Sequence, residues 1–498
     1  MSTVRRNTLA NYAGQAWTAL ISLIFVPVYI RYMGVEAYGI IGFFVILQSL
    51  FAILDMGFSA TLNRELAARA GVAGAADKTR DLMRTLEWIF WPTGVLIALL
   101  VWLMSGPLAA HWLKPATLTV DQTASALFLL GLAAALLWPV SFYTGGLTGL
   151  QQQVKLNLLT AFFATVRAVG AVGVLIFISA SIEAFLWWQI SVGAVQSVSY
   201  ALMTWHNLPA GSRTPVFSRA ELRRIRGYAA GITGISILAF VLTQIDRIVL
   251  SRFLSLADFG AYAFAASVAV MLLRLVHPIC TAVFPRYSEL VATGEANGLA
   301  NFYHHTNQIM ASIVLPIAAV AAGFATEILM VWTADSKLSQ AAGPAMAVLV
   351  AGTALNGIMN LPFALQLAHG WTSLALWINV VSVCFVVPAV WFLGREFGGV
   401  GAAAAWLALN FCYVAIGIPL MHRRLLAAEM SRWYVADMLP PLLASVAVVL
   451  LWRVSLAGVP AGVSGIALLA LVTVTTCAAS LVATAAPRKI VCNWWINR

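Results

Sequence analysis

The chain has 498 residues, 61% of them hydrophobic and only 9% charged, with a mean hydropathy of +0.90. Soluble domains carry roughly 45–50% apolar and about 25% charged residues, so a water-facing globular fold is excluded. The net charge of +11 does not point to nucleic acid, because the basic residues fall between apolar spans and zinc-finger spacings are absent.

Apolar stretches of roughly 18–28 residues recur, each long enough to cross a bilayer as a helix. The first six fall near 8–31, 39–62, 83–104, 122–148, 155–179 and 183–205. The next six fall near 226–252, 258–284, 304–333, 341–368, 371–394 and 399–421, and two more near 437–455 and 463–484. The first span is too long for the apolar core of a cleavable signal and is expected to stay as a membrane helix. Lysines and arginines on the N-terminal side of the membrane outnumber those on the other side by about three to one. Both termini are therefore expected in the cytoplasm. The longest breaks, 63–81 and 206–225, are short and basic, and neither can fold a catalytic domain. The five cysteines give no disulfide or metal framework, and the adjacent pair His304 and His305 is a weak metal signal.

The break after the first span reads Arg31-Tyr-Met-Gly-Val-Glu-Ala-Tyr-Gly39, and the break after the seventh reads Arg252-Phe-Leu-Ser-Leu-Ala-Asp-Phe-Gly260. Arginine, aromatic, aliphatic, aromatic and glycine recur at one offset, which implies duplication. An interval of six helices is even, so both copies point the same way. The expected fold is an all-α integral membrane protein of about fourteen helices. Two six-helix lobes form a parallel pseudo-two-fold repeat around a central cavity, followed by two C-terminal helices. The corresponding division is 1–205 for the N-lobe, 206–225 for a basic linker, 226–425 for the C-lobe and 426–498 for the last pair and tail.

Polar groups within a bilayer are costly, so their positions carry information. Asn11 and Gln15 lie on the first span, Gln48 on the second, Asn157 on the fifth, Gln244 on the seventh and His277 on the eighth. Interhelical hydrogen bonding explains any one of them, while stripes on this many helices favour a shared hydrated cavity. Arg167 and Arg274 sit at mid-span, where an arginine costs roughly 2.5–3.5 kcal/mol on insertion scales. Both are candidates to line the cavity and attract an anion such as phosphate; the competing reading is a buried ion pair with Asp55. Asp55 either holds a cation or locks a helix end through Arg64. Arg31, Asp55, Arg64, Asp246, Arg247 and Arg252 are candidate gate or coupling residues; for those near the outer helix ends the competing reading is of plain interfacial charges.

No lysine follows a glycine, so the Walker loop is absent and ATP is not expected as a ligand. The chain resembles the polysaccharide flippase branch of the multidrug/oligosaccharidyl-lipid/polysaccharide exporter superfamily, the Wzx-type O-antigen translocases. The resemblance rests on the Arg31 to Gly39 motif and on Leu54-Asp-Met-Gly-Phe-Ser-Ala-Thr-Leu-Asn-Arg64-Glu. It continues in Asp246-Arg-Ile-Val-Leu-Ser-Arg-Phe-Leu254, Phe284-Pro-Arg-Tyr-Ser288 and Glu327-Ile-Leu-Met-Val-Trp332. It covers about residues 5–425.

The resemblance implies a flippase, not an enzyme, in the bacterial inner membrane. Such a protein moves an undecaprenyl-diphosphate-linked oligosaccharide (an O-antigen, capsule or exopolysaccharide unit) from the cytoplasmic to the periplasmic leaflet by alternating access. Its partners are that lipid-linked oligosaccharide, the bilayer, and a polysaccharide polymerase with its chain-length regulator, and it takes no nucleic acid. No cofactor is implied, and the sequence leaves the coupling ion, proton or sodium, open. The alternatives are a cation-coupled multidrug or metabolite exporter of the same superfamily, and a membrane polysaccharide polymerase, ligase or assembly partner. A polymerase or ligase needs a large outer loop that this sequence lacks.

Overall fold

Backbone groups inside hydrocarbon must be bonded within the chain, which favours uninterrupted helices wherever the sequence is apolar. The computed structural model describes residues 3–55, 57–69, 75–371, 373–456, 458–460 and 462–488, without side-chain detail at 3–9, 22–23, 51–53 and 226–236. Cys492 and the end of the tail lie outside the described residues. Every regular element described is helical. Among the described residues, ten helices are long and apolar enough to cross a membrane by length and composition, and the pattern is compatible with fourteen crossings. One of those ten runs over Ser373–Leu425, 53 residues, enough for two passes. Helices over Val35–Leu54, Ile182–Asn207 and Arg219–Phe253 fall outside the ten, and the first of them is apolar but counted as shorter.

The chain divides into two compact units, Met1–Gly260 and Ala261–Arg498. The first contains α1 (Thr3–Met33), α2 (Val35–Leu54), α3 (Phe58–Arg69), α4 (Ala76–Pro107), α5 (Val120–Gly149), α6 (Gln153–Phe177), α7 (Ile182–Asn207) and α8 (Arg219–Phe253). Helix α5 is central, packed by α3, α4 and α7, while α1 lies along α6 and α2 along α8. Its start is sealed by reciprocal bonds: Gln122 N donates to Thr119 Oγ1 at 3.1 Å and Thr119 N to Gln122 Oε1 at 3.0 Å. Phe90 stacks on Trp138 and Phe142 with centroids 5.2 and 4.8 Å apart, within a core that Leu62, Leu86 and Leu147 complete.

Three sequence expectations change here. The single span expected over 39–62 is broken after α2, because Asp55 caps a new helix: Phe58 N donates to its carbonyl at 2.8 Å and Ser59 Oγ to its carboxylate at 2.5 Å. The expected loop 63–81 is largely helical, since α3 runs to Arg69 and α4 begins at Ala76. The linker shortens to 208–218, because Ser218 caps α8 early, its Oγ accepting from Glu221 N at 3.3 Å.

Helix α9 (Leu256–Met271) begins in the first unit and continues into the second. There follow α10 (Leu273–Thr293), α11 (Ala296–Gly323), α12 (Ala325–Thr333), α13 (Ser336–Ala368), α14 (Ser373–Cys412), α15 (Ile418–Leu425), α16 (Met430–Arg432), α17 (Leu439–Ser455) and α18 (Val463–Ala483). Helices α11 and α13 are the hubs: α13 packs on α10, α11, α12 and α14, and α11 carries the pair α17 and α18. At 40 residues, α14 would measure about 60 Å if straight, twice the hydrocarbon thickness. Gly398 breaks it with φ 57° and ψ −138°, a region that glycine enters without a Cβ penalty. The two spans expected at 371–394 and 399–421 are therefore two helices joined at a kink. Wide π turns follow at Tyr413–Gly417 and Trp433–Met438.

Candidate functional site

Arg167 lies on α6 among apolar neighbours, half-buried. Its Nη2 donates to Gln196 Oε1 at 2.5 Å, and its own carbonyl accepts from Trp188 Nε1 at 3.2 Å. Among the described residues no carboxylate pairs with it. Asp55, the proposed partner, is engaged by Ser59. Arg167 lines a cavity of about 280 Å³ inside the first unit, with Thr18, Phe25, Tyr29, Phe44 and Gln189. A guanidinium carries five N–H donors. With one spent on Gln196, the rest can serve an anion in surroundings of low polarity.

The two motif copies meet within the first unit. A Cβ on Gly39 would overlap the Leu256 carbonyl oxygen, and a Cβ on Gly260 would overlap the Val35 carbonyl oxygen. Val35 and Leu256 hold matching places in the two copies, so the contact is reciprocal, as a two-fold relation produces. Two hairpin tips can meet only on one side of a membrane, which excludes an inverted relation between them.

The segment between α4 and α5 binds both tips. The Glu36 carboxylate accepts from Ala116 N and Thr117 N at 2.7 and 2.8 Å. Leu256 N donates to the Lys114 carbonyl at 3.0 Å, Lys114 Nζ to the Phe253 carbonyl at 3.1 Å, and Trp112 Nε1 to Ser251 Oγ at 3.0 Å. Arg252 lies 5.8 Å over the Trp112 ring, exposed, as Arg31 also is.

Other sequence candidates are placed differently. Asn157 Nδ2 donates to Asn11 Oδ1 at 2.6 Å, joining α6 to α1. Arg247 Nη1 donates to Gln244 Oε1 at 3.0 Å along α8, both buried, with Asp246 half-buried between them. Gln15, Gln48 and Arg64 are exposed on α1, α2 and α3. Arg274 and His277 belong to the second unit, exposed in the first turns of α10, which follows a turn at Leu272 within the helix expected over 258–284.

Several polar clusters went unread in the sequence. At the N-terminal end of α4, Arg213 of the linker grips Asp81 with both Nη atoms, and Val216 N donates to Asp81 Oδ1 at 2.9 Å. The Asp81 hydrogen bond holds the Arg213 guanidinium above its ordinary pKa. Glu87 accepts from Tyr143 OH at 2.8 Å, Trp205 Nε1 at 2.6 Å and Arg84 Nη1 at 2.9 Å. In the second unit, His304 lies between Asp437 Oδ2 at 2.5 Å and Glu429 Oε2 at 2.9 Å, and Gln308 Nε2 donates to Asp437 Oδ1 at 2.8 Å. Helices α13 and α14 carry Asn356, Asn360 and Asn379. The polar-stripe reading finds Asn356 and Asn360 when extended to the tenth span, because they are four residues apart on one face.

A family model described as polysaccharide biosynthesis protein matches residues 4–291. A Shigella flexneri protein described as an O-antigen transporter is 20% identical over 407 residues, covering 81% of this chain and 94% of that protein. The solved structure of the lipid II flippase MurJ, in an inward closed conformation, superposes with a TM-score of 0.68 at 11% identity, covering 96% of this chain and 98% of the other. An inward-facing multidrug resistance transporter of the MATE family superposes at 0.63 and 16% identity, covering 83% of this chain and 96% of the other. At such identities the two structures establish the fold alone.

Proposed function

Because the chain belongs to the polysaccharide biosynthesis protein family, we propose that it is a flippase for an oligosaccharide carried on a polyprenyl diphosphate. A sugar and a diphosphate cannot cross hydrocarbon unaided, whereas the polyprenyl tail can stay in lipid. The observation that carries the reading is Arg167: a guanidinium without a carboxylate partner among the described residues, lining a mostly apolar cavity. A cation-coupled drug exporter calls for carboxylates there, which makes that alternative the weaker one. The Shigella relative described as an O-antigen transporter supports the substrate class. We further propose transfer from the cytoplasmic to the periplasmic leaflet, with the repeat-defined lobes, 1–205 and 226–425, exchanging access.

The test is a strain deleted for the gene and complemented by the chain. Deletion is expected to accumulate lipid-linked intermediates, identified by mass spectrometry, and to lose surface polysaccharide; the wild-type chain restores both. Normal surface polysaccharide without accumulation in the deletion strain sinks the flippase reading.

A further inference from the structure

Two adjoining cavities lie within the second unit, and they differ in character. One, about 190 Å³, is lined by the amides of Asn356, Asn360, Gln366 and Asn379 with the phenol of Tyr413. The other, about 560 Å³, is an apolar groove along α14 that includes Trp377, Phe385 and Leu409. They share Ile378, Tyr413 and Gly417 as a common wall. Tyr413 and Gly417 are the two ends of a π turn, a distortion that recurs at functional sites.

Helix adhesion accounts for part of the amide cluster. Asn356 Nδ2 donates to Asn410 Oδ1 at 2.9 Å, and Tyr413 OH to Asn379 Oδ1 at 3.0 Å. Adhesion does not account for Gln366, only 4% exposed, whose Oε1 has no hydrogen-bond partner among the described residues. Asn360 donates its amide to the Asn356 and Gly357 carbonyls at 2.8 and 3.3 Å, and among the described residues no donor meets its side-chain oxygen. An unsatisfied amide oxygen inside a membrane protein is costly and calls for a donor.

We propose that the amide cavity binds an uncharged sugar ring of an amphipathic lipid whose chain lies in the adjoining groove. The choice of ligand follows from the donor set. Amides and a phenol offer donors and acceptors together, as hydroxyl groups require. An anion asks for donors only and a metal cation for acceptors only, and no carboxylate or basic side chain lines either cavity. The groove opens to lipid through Trp377 and Phe385, 67% and 72% exposed, so a hydrocarbon chain reaches it without crossing water. The identity of the lipid as the transported substrate rests on the flippase reading; the binding site itself does not.

The test uses the full chain purified in an amine-oxide detergent, since alkyl glycoside detergents would compete. Two photoreactive probes share one diazirine-bearing alkyl chain; one ends in glucose and the other in phosphocholine. The glucoside is expected to label peptides spanning 374–389 and 405–420 about fivefold more than the phosphocholine probe. Asn360→Leu and Gln366→Leu should each cut glucoside labelling by about fivefold, as for one or two lost neutral hydrogen bonds, with the melting temperature unchanged. Equal labelling by both probes, or glucoside labelling untouched by both substitutions, overturns the proposal. Sugar-dependent labelling by a chain that fails to restore polysaccharide export leaves this site standing and removes the flippase reading. Sugar-independent labelling by a chain that does restore export removes this site alone.

Discussion

Gly39 and Gly260 stand backbone to backbone, each approached by the main chain of the other's hairpin. Neither position has room for a Cβ. Gly39→Val and Gly260→Val should therefore behave alike, although one lies on α2 and the other on α9. Each is expected to cost about 1–3 kcal/mol in overpacking and to cut polysaccharide export about tenfold or more at matched membrane levels. Export at the wild-type level from both variants would mean that the tips need not meet during transport.

Arg167→Gln should fold, since the cavity beside it already gives the shorter side chain room. Headgroup binding should weaken by about 1.5–3 kcal/mol, as for a charged hydrogen bond. Arg167→Lys should rescue in part, keeping the charge but losing the planar fork. Surface polysaccharide at matched protein level is the readout. Failure of the Gln variant to insert at all would instead assign Arg167 a structural role.

Asp81 ties down the linker through Arg213, so Asp81→Asn should speed tryptic cleavage after Arg213 severalfold in inverted membrane vesicles. Intact cells should show no cleavage in 208–218 with either protein, if the basic breaks face the cytoplasm as the positive-inside rule proposes. Efficient cutting there by protease added outside intact cells would reverse the proposed orientation.

The ring of His304 meets acidic oxygens at both nitrogens inside the second unit. Removing one partner leaves buried polar groups without their match, a change worth about 3–5 kcal/mol for a buried pair. His304→Leu and Asp437→Leu should each lower the melting temperature. The double substitution should be less harmful than the sum of the two. Strict additivity would show that the two side chains act independently.

The repeat was legible because its copies are turns, where arginine, aromatic and glycine recur without competition from hydrophobic packing. The role of the polar stripes was harder to read. Asn11, Asn157 and Arg167 obey the same helical spacing, yet Asn11 and Asn157 bond each other across α1 and α6 while Arg167 faces a cavity. Periodicity reports which face a residue occupies, and a face can be covered by a neighbour or by space. The turn between α9 and α10 was not legible for a different reason: it falls within Val-Met-Leu-Leu-Arg, where neither proline nor glycine marks it.

The segment from Trp112 to Thr117 bonds both hairpin tips, and it belongs to the first half of the chain. At the corresponding turn of the second half only Ala334 and Asp335 separate α12 from α13. Within the first unit, both hairpin tips are thus held by a strap that comes from one half of the repeat. Its length then acts as a dial: adding residues near Pro115 would slacken the hold on both tips at once without altering any cavity-lining side chain. Relatives that differ only in this turn would spend different fractions of time closed at that end of the molecule.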